Sequence, residues 1–272
     1  MAENYHQFFV EGDVWHYSVS GSGKRPMILL HGYGQNSSVF HYLEALLETQ
    51  YYFIKIDLAY HGNNDKMSDS FIFNREYCEG WLLSLRQELD IIDFSITGFS
   101  IGARIAMGIV SWFPKHISEL WLIAPDGLPV SKAYKFLSQT SLGVILFRSF
   151  VSKPWLALAL IYTGKKLSIL SERTAKFYMH EIGTIEKRQQ LYNTWMAYRE
   201  LKPNYKLLSE LNEKKSFSLS CYLGKDDSII PIKRTQKFIL KHLKGAQIVP
   251  LGSGHNILSE KGIKRLKEYW EE

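Results

Sequence analysis

Residues 93–113, DFSITGFSIGARIAMGIVSWF, decide the fold. The first six, DFSITG, have the apolar, β-branched content of a short buried strand, and IGARIAMGIVSWF has helical spacing that stops at Pro114. Between them stands Gly98-Phe99-Ser100-Ile101-Gly102, a G-x-S-x-G pentapeptide. Alone, that pattern is weak. Placed between a strand and a helix it describes a tight, strained turn that lifts a serine hydroxyl clear of a sheet's carboxyl edge. Small residues are needed on both flanks of so sharp a turn. The helix that follows directs its first N–H groups and its positive dipole end toward developing negative charge. These properties nominate Ser100 as a nucleophile.

The same alternation of periods continues on both sides. QFFVEGDVWHYSVSG reads as a hairpin turning at Gly12-Asp13, PMILLHG as an apolar strand ending in Gly, and SSVFHYLEALLE as a helix. YYFIKIDL is a strand, EYCEGWLLSLRQEL a helix and ISELWLIAP a strand. From about Asp126 to Lys215 the alternation gives way to helical pieces broken at Pro129, Pro154, Gly164 and Pro203. It resumes with strand SFSLSCYLG, a helix over Ile232–His242, strand AQIVPL and a closing helix near Lys261–Trp270. Such a chain predicts an α/β fold with a mostly parallel twisted sheet of about eight strands, flanked by helices joined through right-handed crossovers. The middle segment is inserted after the sixth strand. No internal repeat is present, which excludes solenoids and propellers.

With 272 residues, 46% of them apolar and 14% aromatic, the chain holds enough apolar mass for one well-buried core and resembles neither a disordered nor a low-complexity sequence. Two cysteines, Cys78 and Cys221, cannot build a disulfide framework, and the start MAENYHQFFVEGD lacks the basic-then-apolar pattern of a secretory signal. The expected location is cytoplasmic. The longest apolar text, LGVILFRSFVSKPWLALALIY, is interrupted by Arg148, Lys153 and Pro154, so no membrane span is expected. Net charge is +6 and uneven: residues 128–215 hold 15 Lys and Arg against six Glu and no Asp, while the remainder holds 18 against 21. A basic insertion sits in a mildly acidic body. With no reading helix or aromatic platform recognisable, nucleic acid is not an expected partner.

A serine hydroxyl needs a base to accept its proton, and the base needs a carboxylate to hold it. Gly224-Lys225-Asp226-Asp227-Ser228-Ile229-Ile230-Pro231 supplies carboxylates after strand SFSLSCYL, and Gly252-Ser253-Gly254-His255 supplies an imidazole after strand AQIVPL. Asp126, after strand ISELWLIAP, is a third candidate acid. His255 alone among nine histidines lies in a late Gly-rich loop; His180 and His242 sit in helical text.

In these motifs the chain resembles the α/β-hydrolases with a serine nucleophile and a cap, throughout its length apart from the insertion. The resemblance implies residues 1–127 and 216–272 as the core and 128–215 as a helical cap over the serine. It implies Asp227, at the position matching G-x-x-D-x-I-x-P, as the acid of a Ser100, Asp227, His255 triad. It implies oxyanion-hole N–H groups from Tyr33, in His31-Gly32-Tyr33-Gly34, and from Ile101. Asp57-Leu58-Ala59-Tyr60-His61-Gly62 resembles the family's D-x-x-G-x-G loop, with Tyr60 in place of the first Gly and Asn64 where Ser is common. Phe99, Arg104, Phe147 and Trp155 are candidate substrate contacts, with Phe150 and Leu158 also in the cap's apolar runs. Packing of the cap is the plainer role for those runs, and their basic, tryptophan-bearing text also suits contact with anionic lipid.

The activity implied is cofactor-free hydrolysis of a small carboxylic ester or thioester, with a small, anionic or hydrophobic ester-like molecule as partner. GFSIGAR also resembles the GYSxGGR of menaquinone-pathway lyases that eliminate pyruvate, with Ala103 in place of a Gly. A C–C bond hydrolase reusing the triad and a ligand-binding protein on a hydrolase scaffold are the other readings. No H-E-x-x-H, C-x-x-C, Walker A or GxGxxG pattern occurs, so neither metal nor nucleotide cofactor is expected.

Overall fold

The computed structural model describes residues 5–68, 71–167 and 172–271. Eight strands form one sheet: β1 (Tyr5–Val10), β2 (Asp13–Ser20), β3 (Arg25–Leu30), β4 (Tyr51–Ile56), β5 (Phe94–Phe99), β6 (Ile117–Ile123), β7 (Ser218–Gly224) and β8 (Gln247–Leu251). Their spatial order is β1-β2-β4-β3-β5-β6-β7-β8. β1 pairs with β2, and β2 with β4, antiparallel; every later pairing is parallel. The chain leaves β3 toward β4 on one side and returns to β5 on the other, so the connections diverge beyond the carboxyl ends of β3 and β5. That crevice is where open α/β sheets place their sites.

Helices α1 (His41–Leu47), α2 (Arg75–Leu89) and α3 (Ile101–Trp112) alternate with the strands, and α4 (Lys132–Gln139), α5 (Ser141–Ser152), α6 (Pro154–Lys166), α7 (Glu172–Glu181), α8 (Ile185–Ala197) and α9 (Tyr205–Glu213) lie between β6 and β7. α10 (Ile232–His242) and α11 (Glu260–Glu271) complete the sheet's cover. β5 is buried at every position, as a parallel strand covered on both faces must be. On one face Met27, Leu29, Phe53, Ile123 and Leu251 pack with Leu43 and Leu47 of α1 and Ile263 and Leu266 of α11. The alternate residues Ile28 and Leu30 turn to the other face, where α3 lies against β3, β5 and β6.

Contacts divide the chain into two compact units, Met1–Pro129 with Glu200–Glu272, and Val130–Arg199. The second unit has its own core of Phe147, Phe150, Ala157 and Ile182, flanked by Leu191, Tyr192, Trp195 and Met196. The expected insertion, 128–215, extends beyond this unit because α9 packs on α3 and α10 in the first.

Two local readings are corrected. The hairpin turns at Glu11-Gly12, both at positive φ, and Asp13 already pairs with Val10; a two-residue loop of that hand matches the twist of the flanking strands. Gly164 does not break a helix but lies inside α6, since one glycine costs only about 1 kcal/mol there. Pro154 opens α6 at its first turn, where its missing N–H costs nothing.

The G-x-S-x-G glycines are explained by close approach. A Cβ on Gly98 would stand 2.3 Å from the Gly102 carbonyl oxygen, and one on Gly102 would stand 2.1 Å from that of Leu30. Gly102→Ala is therefore expected to cost about 3 kcal/mol, because the obstacle is backbone that cannot rotate away. Calorimetry should read this as a fall of roughly 6–10 °C in Tm. Gly80→Ala in α2, whose new Cβ would find only Val10 Cγ1 at 3.5 Å, should hold or slightly raise Tm.

Candidate active site

Ser100 stands between β5 and α3 with φ 53° and ψ −116°, a conformation that L-residues avoid. Three backbone hydrogen bonds hold it. Its N–H donates to the Ile123 carbonyl at 2.9 Å, and its carbonyl accepts from Ala103 N–H at 3.1 Å and Asp126 N–H at 3.0 Å. The loops after β5 and β6 are thereby fixed to each other beneath the hydroxyl.

His255, in the loop after β8, places Nε2 3.2 Å from Ser100 Oγ and Nδ1 2.7 Å from Asp227 Oδ2. A carboxylate can only accept, so Nδ1 carries the proton and Nε2 presents its lone pair to the serine hydroxyl. Asp227 is buried, and its other oxygen accepts the N–H groups of Ile229 and Ile230, each at 2.8 Å. The strand-end loops of β7 and β8 meet closely: Lys225 and Asp226 N–H donate to the Leu251 and Ser253 carbonyls, and a Cβ on Gly224 would stand 2.3 Å from the Gly254 oxygen. Phe99 is buried, its ring centroid 5.4 Å from that of His255. It thus packs beside the imidazole.

Of the other candidate acids, Asp226 is exposed. Asp126 directs Oδ2 to Arg104 Nη1 at 3.4 Å, and Arg104 is only 2% exposed. The aliphatic stem of Arg104 also lies against Gly127, where an added Cβ would come within 3.1 Å. Through Nη1, Arg104 ties α3 to the loop after β6. Phe147 lies in the core of the second unit, and Trp155 is 62% exposed on α6.

The loops after β3 and β4 form a buried polar cluster. Asp57 accepts the N–H groups of Ser37 at 2.8 Å and Asn63 at 2.9 Å. His31 donates Nδ1–H to the Gly32 carbonyl at 2.7 Å and accepts the Leu58 N–H on Nε2 at 2.9 Å, which makes it a neutral, fixed tautomer. His61 donates Nδ1–H to the Ala59 carbonyl at 3.0 Å, and its Nε2 is buried without a hydrogen-bond partner among the described residues. Rings of His31 and Tyr33 meet that of His61 edge-on, at 5.3 and 5.4 Å. Tyr60 takes φ 66°, supplying without glycine the left-handed turn of this loop. Tyr33 thus sits in a loop pinned by two histidines, and Ile101 opens α3, where the first N–H groups of a helix have no carbonyl of their own.

Sequence reading missed the carbonyl of Ile123 and the N–H groups of Asp126, Ile229 and Ile230, because backbone groups carry no residue-type signal. Burial raises both thiols, that of Cys221 to about 12, which leaves neither cysteine a nucleophile. Among the described residues no cluster of His, Cys, Asp or Glu is arranged to hold a metal ion.

The model of the alpha/beta hydrolase fold family matches residues 25–262. An uncharacterized protein of Mycobacterium tuberculosis is 31% identical over 112 residues, 41% of this chain and 32% of that protein. A serine hydrolase-like protein of Danio rerio is 27% identical over 118 residues, 43% of this chain and 35% of that one. The matched stretches span about a third of these relatives' length. A thermophilic esterase from Thermogutta terrifontis shares the fold, with a TM-score of 0.68 at 16% identity over 98% of both chains.

The buried histidines make stability pH-dependent. Burial lowers His31 below its ordinary 6.5, and burial together with the neighbouring His31 pushes His61 down to about 3. Above pH 6.5 both imidazoles are neutral whether folded or unfolded. As pH falls from there, the unfolded rings take up protons that the folded ones resist; for His61 the loss continues toward pH 3, at up to about 1.4 kcal/mol per pH unit, and His31 adds to it in the same direction. His61→Gln should flatten the fall of Tm between pH 6.5 and 4 by about one proton's worth of slope. An unchanged slope would place the proton uptake elsewhere.

Proposed function

The chain belongs to the alpha/beta hydrolase fold family, and from that premise we propose that it is a cofactor-free serine hydrolase that cleaves a small carboxylic ester or thioester. The observation that carries this reading is the continuous path Ser100 Oγ, His255 Nε2, His255 Nδ1, Asp227 Oδ2, with gaps of 3.2 and 2.7 Å. As Ser100 attacks the substrate carbonyl, its proton passes to His255 Nε2, and the imidazolium that forms lies against the Asp227 carboxylate. Ile229 and Ile230 hold the second oxygen of Asp227, and the first keeps the imidazole in the tautomer that accepts from serine. The N–H groups of Tyr33 and Ile101 stabilise the tetrahedral oxyanion. His255 then returns the proton to the leaving group, and water, deprotonated by the same imidazole, releases the acyl group from Ser100.

Pyruvate elimination would ask Arg104 to meet a substrate carboxylate. Its burial beside Asp126 favours hydrolysis instead. The excess of Lys and Arg in the second compact unit favours anionic esters.

A fluorophosphonate probe should label the wild type covalently and leave Ser100→Ala unlabelled; a folded wild type that resists the probe would overturn the nucleophile. Asp227→Asn, which preserves shape while removing the charge that fixes the imidazole tautomer, should lower kcat on a short-chain p-nitrophenyl ester about 10⁴-fold with KM little changed. Asp126→Asn should lower it far less, since that carboxylate faces Arg104. The opposite ranking would move the acid to the loop after β6.

A further inference from the structure

The second compact unit leaves a large apolar surface uncovered. Its core takes Phe147 and Phe150 from α5 and Ala157 from α6. What remains outside includes Leu142 and Ile145 on α5, 68% and 65% exposed, and Trp155, Leu158, Leu160 and Tyr162 on α6, between 44% and 69% exposed. Trp155, Leu158 and Tyr162 follow one another at helical spacing, so one face of α6 is an apolar stripe headed by an indole. Isolated exposed apolar residues need no explanation, but two successive helices presenting such stripes do.

The charges on the α4–α6 stretch have one sign. From Leu128 to Ser171 the sequence carries Lys132, Lys135, Arg148, Lys153, Lys165 and Lys166 and no Asp or Glu. Lys153 stands at the corner where α5 gives way to α6, and Lys166 at the far end of α6, both exposed. Lys165 faces Glu172 at 3.5 Å, an exposed pair worth little in water. No single helix is long and apolar enough to cross a membrane, and α5 and α6 are bent 108° from each other. At 12 and 13 residues each is about 18–20 Å long, short of the ~30 Å of a bilayer's hydrocarbon. Apolar stripes on two helices each too short to span alone and sharply bent from each other, with tryptophan among them and cations beside them, fit the plane of a headgroup layer. A second copy of the chain is the weaker fit, because an isologous contact would bring the same cations face to face.

We propose that α5 and α6 form a docking surface for a bilayer rich in anionic phospholipid, with Trp155, Leu158 and Tyr162 entering the headgroup and acyl boundary and Lys153 and Lys166 against lipid phosphates. The full chain, incubated with sucrose-loaded vesicles of phosphatidylcholine and phosphatidylglycerol at 3:1, should pellet at least about tenfold more tightly than with pure phosphatidylcholine, since each cation near an anionic surface adds to binding. Lys153→Glu/Lys166→Glu should abolish the preference for anionic vesicles. Leu158→Glu/Tyr162→Glu should weaken binding about tenfold or more while circular dichroism and Tm stay unchanged. If that pair unfolds the second unit, Leu142→Glu on α5 takes its place with the same expectation. No pelleting with either vesicle, equal pelleting with both, or a concentration-dependent dimer that the Leu158→Glu/Tyr162→Glu pair dissociates would each overturn the proposal.

Discussion

One backbone conformation holds the site together. Ser100 occupies φ 53°, ψ −116°, which costs on the order of 1–3 kcal/mol for a side chain with a Cβ. The structure keeps it there by leaving no other solution. Gly98 and Gly102 let α3 close onto β3 and β5 until a methyl group would collide with backbone, and Ile123 and Asp126 hold the serine's own N–H and carbonyl. The result is a hydroxyl fixed at the crevice where the connections from β3 diverge. A relaxed serine would withdraw into the helix and lose the imidazole.

The sheet does the rest by parallel register. Ser100 and His255 are 155 residues apart in the chain, yet β5 and β8 point the same way, and the intervening β6 and β7 carry the same direction across. Every loop at one edge of the sheet is therefore a carboxyl-end loop, and the three side chains need only short loops to meet. Gly224 and Gly254 remove the last obstacle, because the β7 and β8 loops approach too closely for a side chain on the first of them.

This explains which features the sequence discloses. Strand and helix periods, and the glycines of the tight turn, are properties of residue type and could be read directly. So could a histidine in a late Gly-rich loop. The choice among Asp126, Asp226 and Asp227 could not be made from residue type alone; resemblance pointed to Asp227, and the hydrogen bonds that distinguish the three are largely to backbone. Asp227 accepts two N–H groups and the imidazole, Asp126 turns to Arg104, and Asp226 faces solvent. The burial of Arg104 is likewise not legible, because it depends on how α3 packs against the loop that carries the half-exposed Asp126. In the insertion, apolar text divides between Phe147 inside and Trp155 outside, a division that depends on which helices pack.

Two carboxylates serve the site by the same device on its opposite sides. Asp57 gathers the N–H groups of Ser37 and Asn63, and Asp227 those of Ile229 and Ile230. A buried carboxylate without such donors would protonate and cease to organise anything. Asp57 spends its charge on loop backbone, stiffening the turn that carries Tyr33 beside two neutral histidines. Asp227 keeps one oxygen for the His255 imidazole. The difference is accessibility: His61 is sealed and refuses protonation, whereas His255 is partly exposed beside a hydroxyl. Equivalent carboxylates therefore meet different surroundings: one organises loop backbone, and the other faces a partly exposed imidazole beside a hydroxyl.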